Sequence, residues 1–141
     1  MKSYETQKVC SSVICIYSSS SDRKIVISYD GDEHLTVKVE SFDINIIKQV
    51  WLYTDGNEFD NFFQKIGDTN LKWDRTFSWK SVEGDFSISA TCDSLGKVTF
   101  KISLEGLQGT SEEWRVQVNI ESDLGALEKI ARQSKSLFNG I

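Results

Sequence analysis

Residues 86–138 read FSISATCDSLGKVTFKISLEGLQGTSEEWRVQVNIESDLGALEKIARQSKSLF, and this stretch decides the fold class. Phe86, Ile88, Ala90 and Cys92 are apolar at every second position, with Ser87, Ser89 and Thr91 between them. Val98, Phe100, Ile102 and Leu104 repeat the pattern against Thr99, Lys101 and Ser103. Trp114, Val116, Val118 and Ile120 repeat it against Arg115, Gln117 and Asn119. A period of two means strands with one buried face. The period then changes: Leu124, Leu127, Ile130, Ala131, Leu137 and Phe138 fall on one face of a helix. The stretch therefore predicts a three-stranded antiparallel meander closed by a C-terminal helix packed on the sheet.

Working outward, the turns of this meander carry their own signals. Val82-Glu83-Gly84-Asp85 reads as the tight turn into the Phe86 strand, and Asp93-Ser94-Leu95-Gly96 as the next. The chain has no proline, so its turns must rest on Gly, Asn, Asp and Ser. Thr76 to Ser81 is a short strand with Phe77 and Trp79. Phe59, Phe62, Phe63 and Ile66 stand at helical spacing, so a short helix buries an aromatic stripe. Asp55 with Glu58 three residues on has the form of a capping box, and Gly67 is placed to end that helix in a left-handed conformation. Ser122 or Asp123 is the expected cap of the last helix.

The first half reads as strands over Val9–Tyr17, around Ile25-Ile27-Tyr29, around Leu35-Val37-Val39, and over Ile44–Tyr53. Asp30-Gly31-Asp32-Glu33-His34 between the second and third contains the Asp-Gly hairpin signal. The fold class is α+β, mainly antiparallel sheet of about seven or eight strands with two helices, in a single domain over residues 1–141. The strands of residues 9–53 either extend the meander or form a second sheet; the pattern allows both.

Composition narrows the function classes. The hydrophobic fraction is 39% and the charged fraction 26%, as in ordinary globular proteins. No apolar run approaches the roughly 20 residues that span a bilayer. Val13 to Tyr17 is too short for the core of an export signal, so a cytoplasmic location is expected. The three cysteines, Cys10, Cys15 and Cys92, are odd in number and hold no C-x-x-C pair, so neither a disulfide framework nor a zinc site is expected. The net charge is −5 with no basic run, which argues against nucleic acid.

Catalytic constellations are absent from the pattern. His34 is the one histidine and stands beside a hairpin turn. Gly106-x-x-Gly109 lies in a hairpin loop, not in a strand-to-helix turn that cradles phosphate. Glu83 and Asp93 at neighbouring turns read as turn formers rather than as a glycosidase pair. The expectation is therefore no enzyme, no cofactor and no metal. The four tryptophans remain as possible core or contact residues, and Trp73, in Lys72-Trp73-Asp74-Arg75, is the one expected to be partly exposed.

The second half resembles a set of small bacterial proteins that includes the WapI-type immunity proteins. The resemblance covers about Trp51 to Phe138. It is carried by the aromatic helix Phe59-Asp60-Asn61-Phe62-Phe63 and the turn Trp79-Lys80-Ser81-Val82-Glu83-Gly84-Asp85-Phe86. The hairpin Cys92-Asp93-Ser94-Leu95-Gly96-Lys97-Val98, Trp114, and the closing segment from Leu124 to Ala131 complete it. It departs at Lys97, where those families often carry histidine. The resemblance implies a protein that neutralises a bacterial toxin by direct binding; a monomer or homodimer is expected. The expected partner surface combines acidic turns with an exposed aromatic: Asp30, Asp32 and Glu33 at one turn, Glu83 and Asp85 at another, and Trp73. The alternative is a small-molecule-binding protein or small enzyme with an aromatic-lined pocket between sheet and helix.

Overall fold

Strands that are apolar on one side only must share a dry interior, and the two halves of this chain solve that problem together. The computed structural model describes residues 13–68 and 73–139. Four strands, β1 (Val13–Tyr17), β2 (Lys24–Gly31), β3 (His34–Ser41) and β4 (Ile44–Trp51), form one antiparallel sheet in sequence order. Four more, β5 (Phe77–Lys80), β6 (Phe86–Cys92), β7 (Lys97–Gly106) and β8 (Trp114–Asp123), form a second sheet, again in sequence order. Of the two arrangements the sequence allows for residues 9–53, the separate sheet is the one adopted. The part of the expected first strand from Val9 to Ser12, with Cys10, lies outside the described residues.

Registers follow the alternation. Ile88 pairs with Ile102, which pairs with Val118, and Ala90, Phe100 and Ile120 make the next row. All six are buried, while Thr99 and Gln117 stand on the opposite face. In the first sheet Ile14, Ile27 and Val37 make one inward row and Ile16, Ile25 and Val39 another. At β4 the inward row ends in Lys48, opposite Val37. Its ammonium lies 3.3 Å from the carboxylate of Asp85 in the turn before β6, so an ion pair joins the two sheets. On another side the sheets meet directly, where the Ser19 N–H donates to the Glu121 carbonyl of β8 at 2.8 Å.

Among the described residues two helices, α1 (Gly56–Gly67) and α2 (Leu127–Phe138), complete one continuous buried cluster with both sheets. Phe59 is its aromatic hub, with ring centroids of Trp79 at 4.5 Å, Phe63 at 5.2 Å and Phe138 at 5.8 Å. α2 packs along β1, where the Gln133 side chain accepts the Cys15 backbone N–H at 3.0 Å. That contact covers part of an otherwise open strand edge.

Three expectations about helix ends are corrected. Asp55 stands at the N-terminus of α1 without a side-chain capping bond; its carboxylate accepts the Trp79 indole N–H at 3.1 Å instead. A tertiary hydrogen bond to a buried tryptophan has displaced the local capping box. Gly67 is helical, and α1 ends at Asp68 in right-handed geometry with φ −79°. What requires glycine at 67 is contact: a Cβ there would stand 2.5 Å from the Ala131 Cβ of α2. Neither Ser122 nor Asp123 caps α2, because a 3₁₀ turn at Leu124–Ala126 is wound ahead of it.

Candidate functional site

A hairpin forms in the β2–β3 connection as the Asp-Gly signal predicts, but Asp30 lies in a bulge and Gly31 pairs with His34, so the two-residue loop is Asp32-Glu33 rather than Asp30-Gly31. Gly31, Asp32 and Glu33 have φ of 86°, 52° and 65° in succession. A two-residue hairpin loop of type I′ needs positive φ at both loop positions, and Asn-Gly is the sequence that adopts it most readily. Here the positions are Asp32 and Glu33; aspartate visits that region readily, whereas a glutamate there costs about 1–2 kcal/mol. A register shift between Tyr29 and Gly31 adds a bulge at Asp30.

Tertiary bonds hold Glu33 there. Its N–H donates to the Tyr29 hydroxyl at 3.2 Å, and its carbonyl accepts the Leu52 N–H at 2.7 Å. Its carboxylate accepts the Trp51 indole N–H at 3.4 Å. Just past Trp51, Tyr53 is also left-handed, at φ 57°. The Trp51 and Tyr53 rings lie 5.3 Å apart, and Tyr53 is half exposed.

Between these elements and the helix ends lies a cleft of about 280 Å³. Tyr29, Leu52, Tyr53 and Phe138 supply its apolar walls, and Glu33, Thr54 and Asn57 its polar groups. The Tyr29 ring stands edge-on to Phe138 at 6.0 Å, so the far end of α2 closes the cleft. Of the four non-glycine residues with positive φ among the described residues, Glu33 and Tyr53 line this cleft and Asp32 adjoins it. Strained non-glycine backbone that the surroundings hold in place is a feature of functional sites, and it singles out this end of the molecule.

The expected contact residues divide. Asp32 and Glu33 are exposed at the hairpin tip, as an acidic partner surface requires. Asp30 is exposed too, but its carboxylate accepts the Thr36 hydroxyl and the Gln49 amide, the latter at 3.3 Å. Glu83 is exposed in the β5–β6 turn. Asp85 is not available to a partner: its side chain is 4% exposed, it pairs with Lys48, and the Ser81 hydroxyl donates to it at 2.7 Å. Trp73 is half-buried, its ring 5.6 Å from Phe77, and it borders the β6–β7 turn with Cys92 and Asp93. The seven residues of β6 separate that turn from Glu83 by about 20 Å at the usual rise per residue, so Trp73 and Glu83 do not share a surface.

The aromatics beside the acidic hairpin are Trp51 and Tyr53. Their i, i+2 spacing at the end of an extended run placed both on one side of a strand, which was the available signal. Phe138 comes from the far end of the chain and gave none.

Other chemistry is sparse among the described residues. No group of three or more His, Cys, Asp and Glu side chains is placed to hold a metal ion. The His34 Nδ1 lies 2.7 Å from the Asp32 carbonyl, which ties the imidazole to its own turn. Asp93 accepts the N–H groups of Leu95 and Lys97, each at 2.9 Å. These bonds, that of Lys97 foremost, hold its carboxyl below the ordinary aspartate value. Lys97, the departure from the resembled pattern, pairs with Glu121 across the strands at 3.4 Å. The hairpin that carried the resemblance is thus a structural turn.

Fold and site together define an α+β protein of two antiparallel four-stranded sheets whose one strained end forms an acid-rimmed aromatic cleft. The chain belongs to the family of unknown function DUF6228, whose family model matches residues 21–140. That span includes every residue lining the cleft. No curated protein and no solved structure matches the chain.

Proposed function

We propose that this protein is a non-catalytic binding protein whose acidic hairpin and adjoining aromatic cleft engage a basic surface of another protein. The observation that carries this reading is the tip itself. Asp32 and Glu33 hold left-handed backbone beside the half-exposed Tyr53, at loop positions that Asn-Gly adopts most readily, and the strain falls on Glu33. The resemblance to WapI-type immunity proteins suggests the partner, a bacterial toxin domain neutralised by occlusion of its active surface. Exposed acids would steer a basic toxin face toward the tip, and the aromatics would slow its departure.

The test is to identify the genes beside this one and to assay binding to, and protection from, a toxin domain encoded there; the lack of any such domain also counts against the proposal. Reversing Asp30 and Asp32 to lysine is expected to slow association, more so at low salt, and Tyr53→Ala to speed dissociation. If both variants fold and bind like the parent, or the parent fails to suppress the toxin, the proposal is wrong.

The position of the cleft between sheet and helix ends favours one alternative, a small-molecule-binding protein. Its volume sits just under the roughly 300–1,000 Å³ of typical ligand pockets, so only a small ligand fits that reading.

A further inference from the structure

Resting on the binding reading above, we infer that the cleft beside Glu33 is a socket for one arginine side chain of the partner. Size sets the first bound. About 280 Å³ falls short of a drug-sized pocket, but it admits a single long side chain. Chemistry sets the second. Among the described residues Glu33 is the one charged residue lining the cleft, and Tyr29, Tyr53 and Phe138 line the same space. A carboxylate with aromatic faces is complementary to an organic cation, and an anion placed there would meet like charge.

The geometry favours guanidinium over ammonium. One Glu33 carboxylate oxygen holds the Trp51 indole N–H at 3.4 Å, and the other has no partner among the described residues. A carboxylate with a free oxygen suits the planar fork of arginine, and the guanidinium plane can stack on a tyrosine ring. Lysine, a compact and strongly hydrated point charge, gains less from either contact. The socket is also pre-formed. The Glu33 backbone is held at its N–H by Tyr29 and at its carbonyl by Leu52, and its exposed carboxylate makes one long bond to the Trp51 indole, so the backbone that aims it has little freedom left to lose on binding. The cost of its backbone is thereby accounted for: the left-handed turn aims a carboxylate at the aromatic walls.

The experiment needs no partner protein, so it stands or falls separately from the toxin assay. N-acetyl-arginine amide is titrated into the full chain at millimolar concentration and followed by backbone and indole N–H chemical shifts. Saturable shifts are expected at Glu33, Tyr53, Gly56 and Asn57 and at the Trp51 indole. N-acetyl-citrulline amide, the neutral near-isostere, should bind at least tenfold more weakly, and N-acetyl-lysine amide several-fold more weakly. Glu33→Gln keeps the shape and should cut arginine affinity at least tenfold with the spectrum of the rest of the protein unchanged. Equal binding of citrulline, undiminished binding by Glu33→Gln, or shifts spread evenly over all the surface acids and lost in salt would each overturn the socket.

Discussion

Replacing Gly67 by alanine tests whether the two helices are held at contact distance by a missing side chain. In an isolated helix the change should stabilise by up to about 1 kcal/mol, since glycine is the poorer helix former. Here the new Cβ would fall 2.5 Å from the Ala131 Cβ, against the ~3.5–4.0 Å at which carbon atoms pack. The helices must part by roughly 1 Å, and overfilling a packed interior costs about 1–3 kcal/mol. Set against the propensity gain, the steric cost leaves an expected net loss of up to about 2 kcal/mol. Urea unfolding should show a lower midpoint at unchanged slope. Ala131→Gly alone should lose about 1 kcal/mol of helix propensity. The double variant, which moves the one methyl from α2 to α1, should return to within about 0.5 kcal/mol of the parent, far from the sum of the two losses. A stabilised Gly67→Ala, or a double variant whose loss equals that sum, would refute the contact account.

Periodicity made the architecture legible because burial acts on every second residue of a strand and the sequence records it directly. The alternation from Phe86 to Ile120 gave the buried face, and Phe86, Ile88, Val98, Phe100, Ile102, Val118 and Ile120 are buried there, with Val116 and Trp114 partly so. Local rules failed where a tertiary partner outbid a local one. Asp55 has the chemistry of a cap, but a buried indole N–H needs an acceptor more than an exposed helix end does, which water can serve. Gly67 and Asp85 show the same limit. A glycine at a helix end and an acid in a Gly-Asp turn are read as local devices, and only the packing of α2 and the approach of Lys48 give them their roles. The site was half legible. Asp32 and Glu33 were singled out as turn acids, whereas the aromatic was expected at Trp73, which stands in a charged loop and near Glu83 and Asp85 in sequence, and the structure sets it apart from both turns. Tyr29, Trp51, Tyr53 and Phe138 come from three separate elements and the end of a connection, and no local pattern joins them.

The remaining predictions concern two turns with opposite logic. Because Asp93 has its carboxyl pKa lowered from 3.8 by backbone N–H donors, the stability it adds is fully present above that value and is lost as pH falls through the lower folded-state value. Carboxyl-carbon NMR should therefore place its midpoint below 3.8, with the Leu95 and Lys97 amides shifting together with it; a midpoint at or above 3.8 would refute the turn's role. The β2–β3 hairpin should behave the other way, as a turn whose stability can be improved. Exchanging Asp32 and Glu33 for Asn and Gly removes the strain of about 1–2 kcal/mol at Glu33, against about 0.5–1 kcal/mol for glycine's added freedom when unfolded and the loss of a long, exposed bond to Trp51. Relief of repulsion among Asp30, Asp32 and Glu33 adds to the gain, so the double variant should unfold at a higher urea concentration, by about 0.5–1 kcal/mol, while arginine-amide binding disappears. Lower stability in that variant would mean that the left-handed turn is not a cost borne for binding, because the acids would then be the residues the fold itself prefers there.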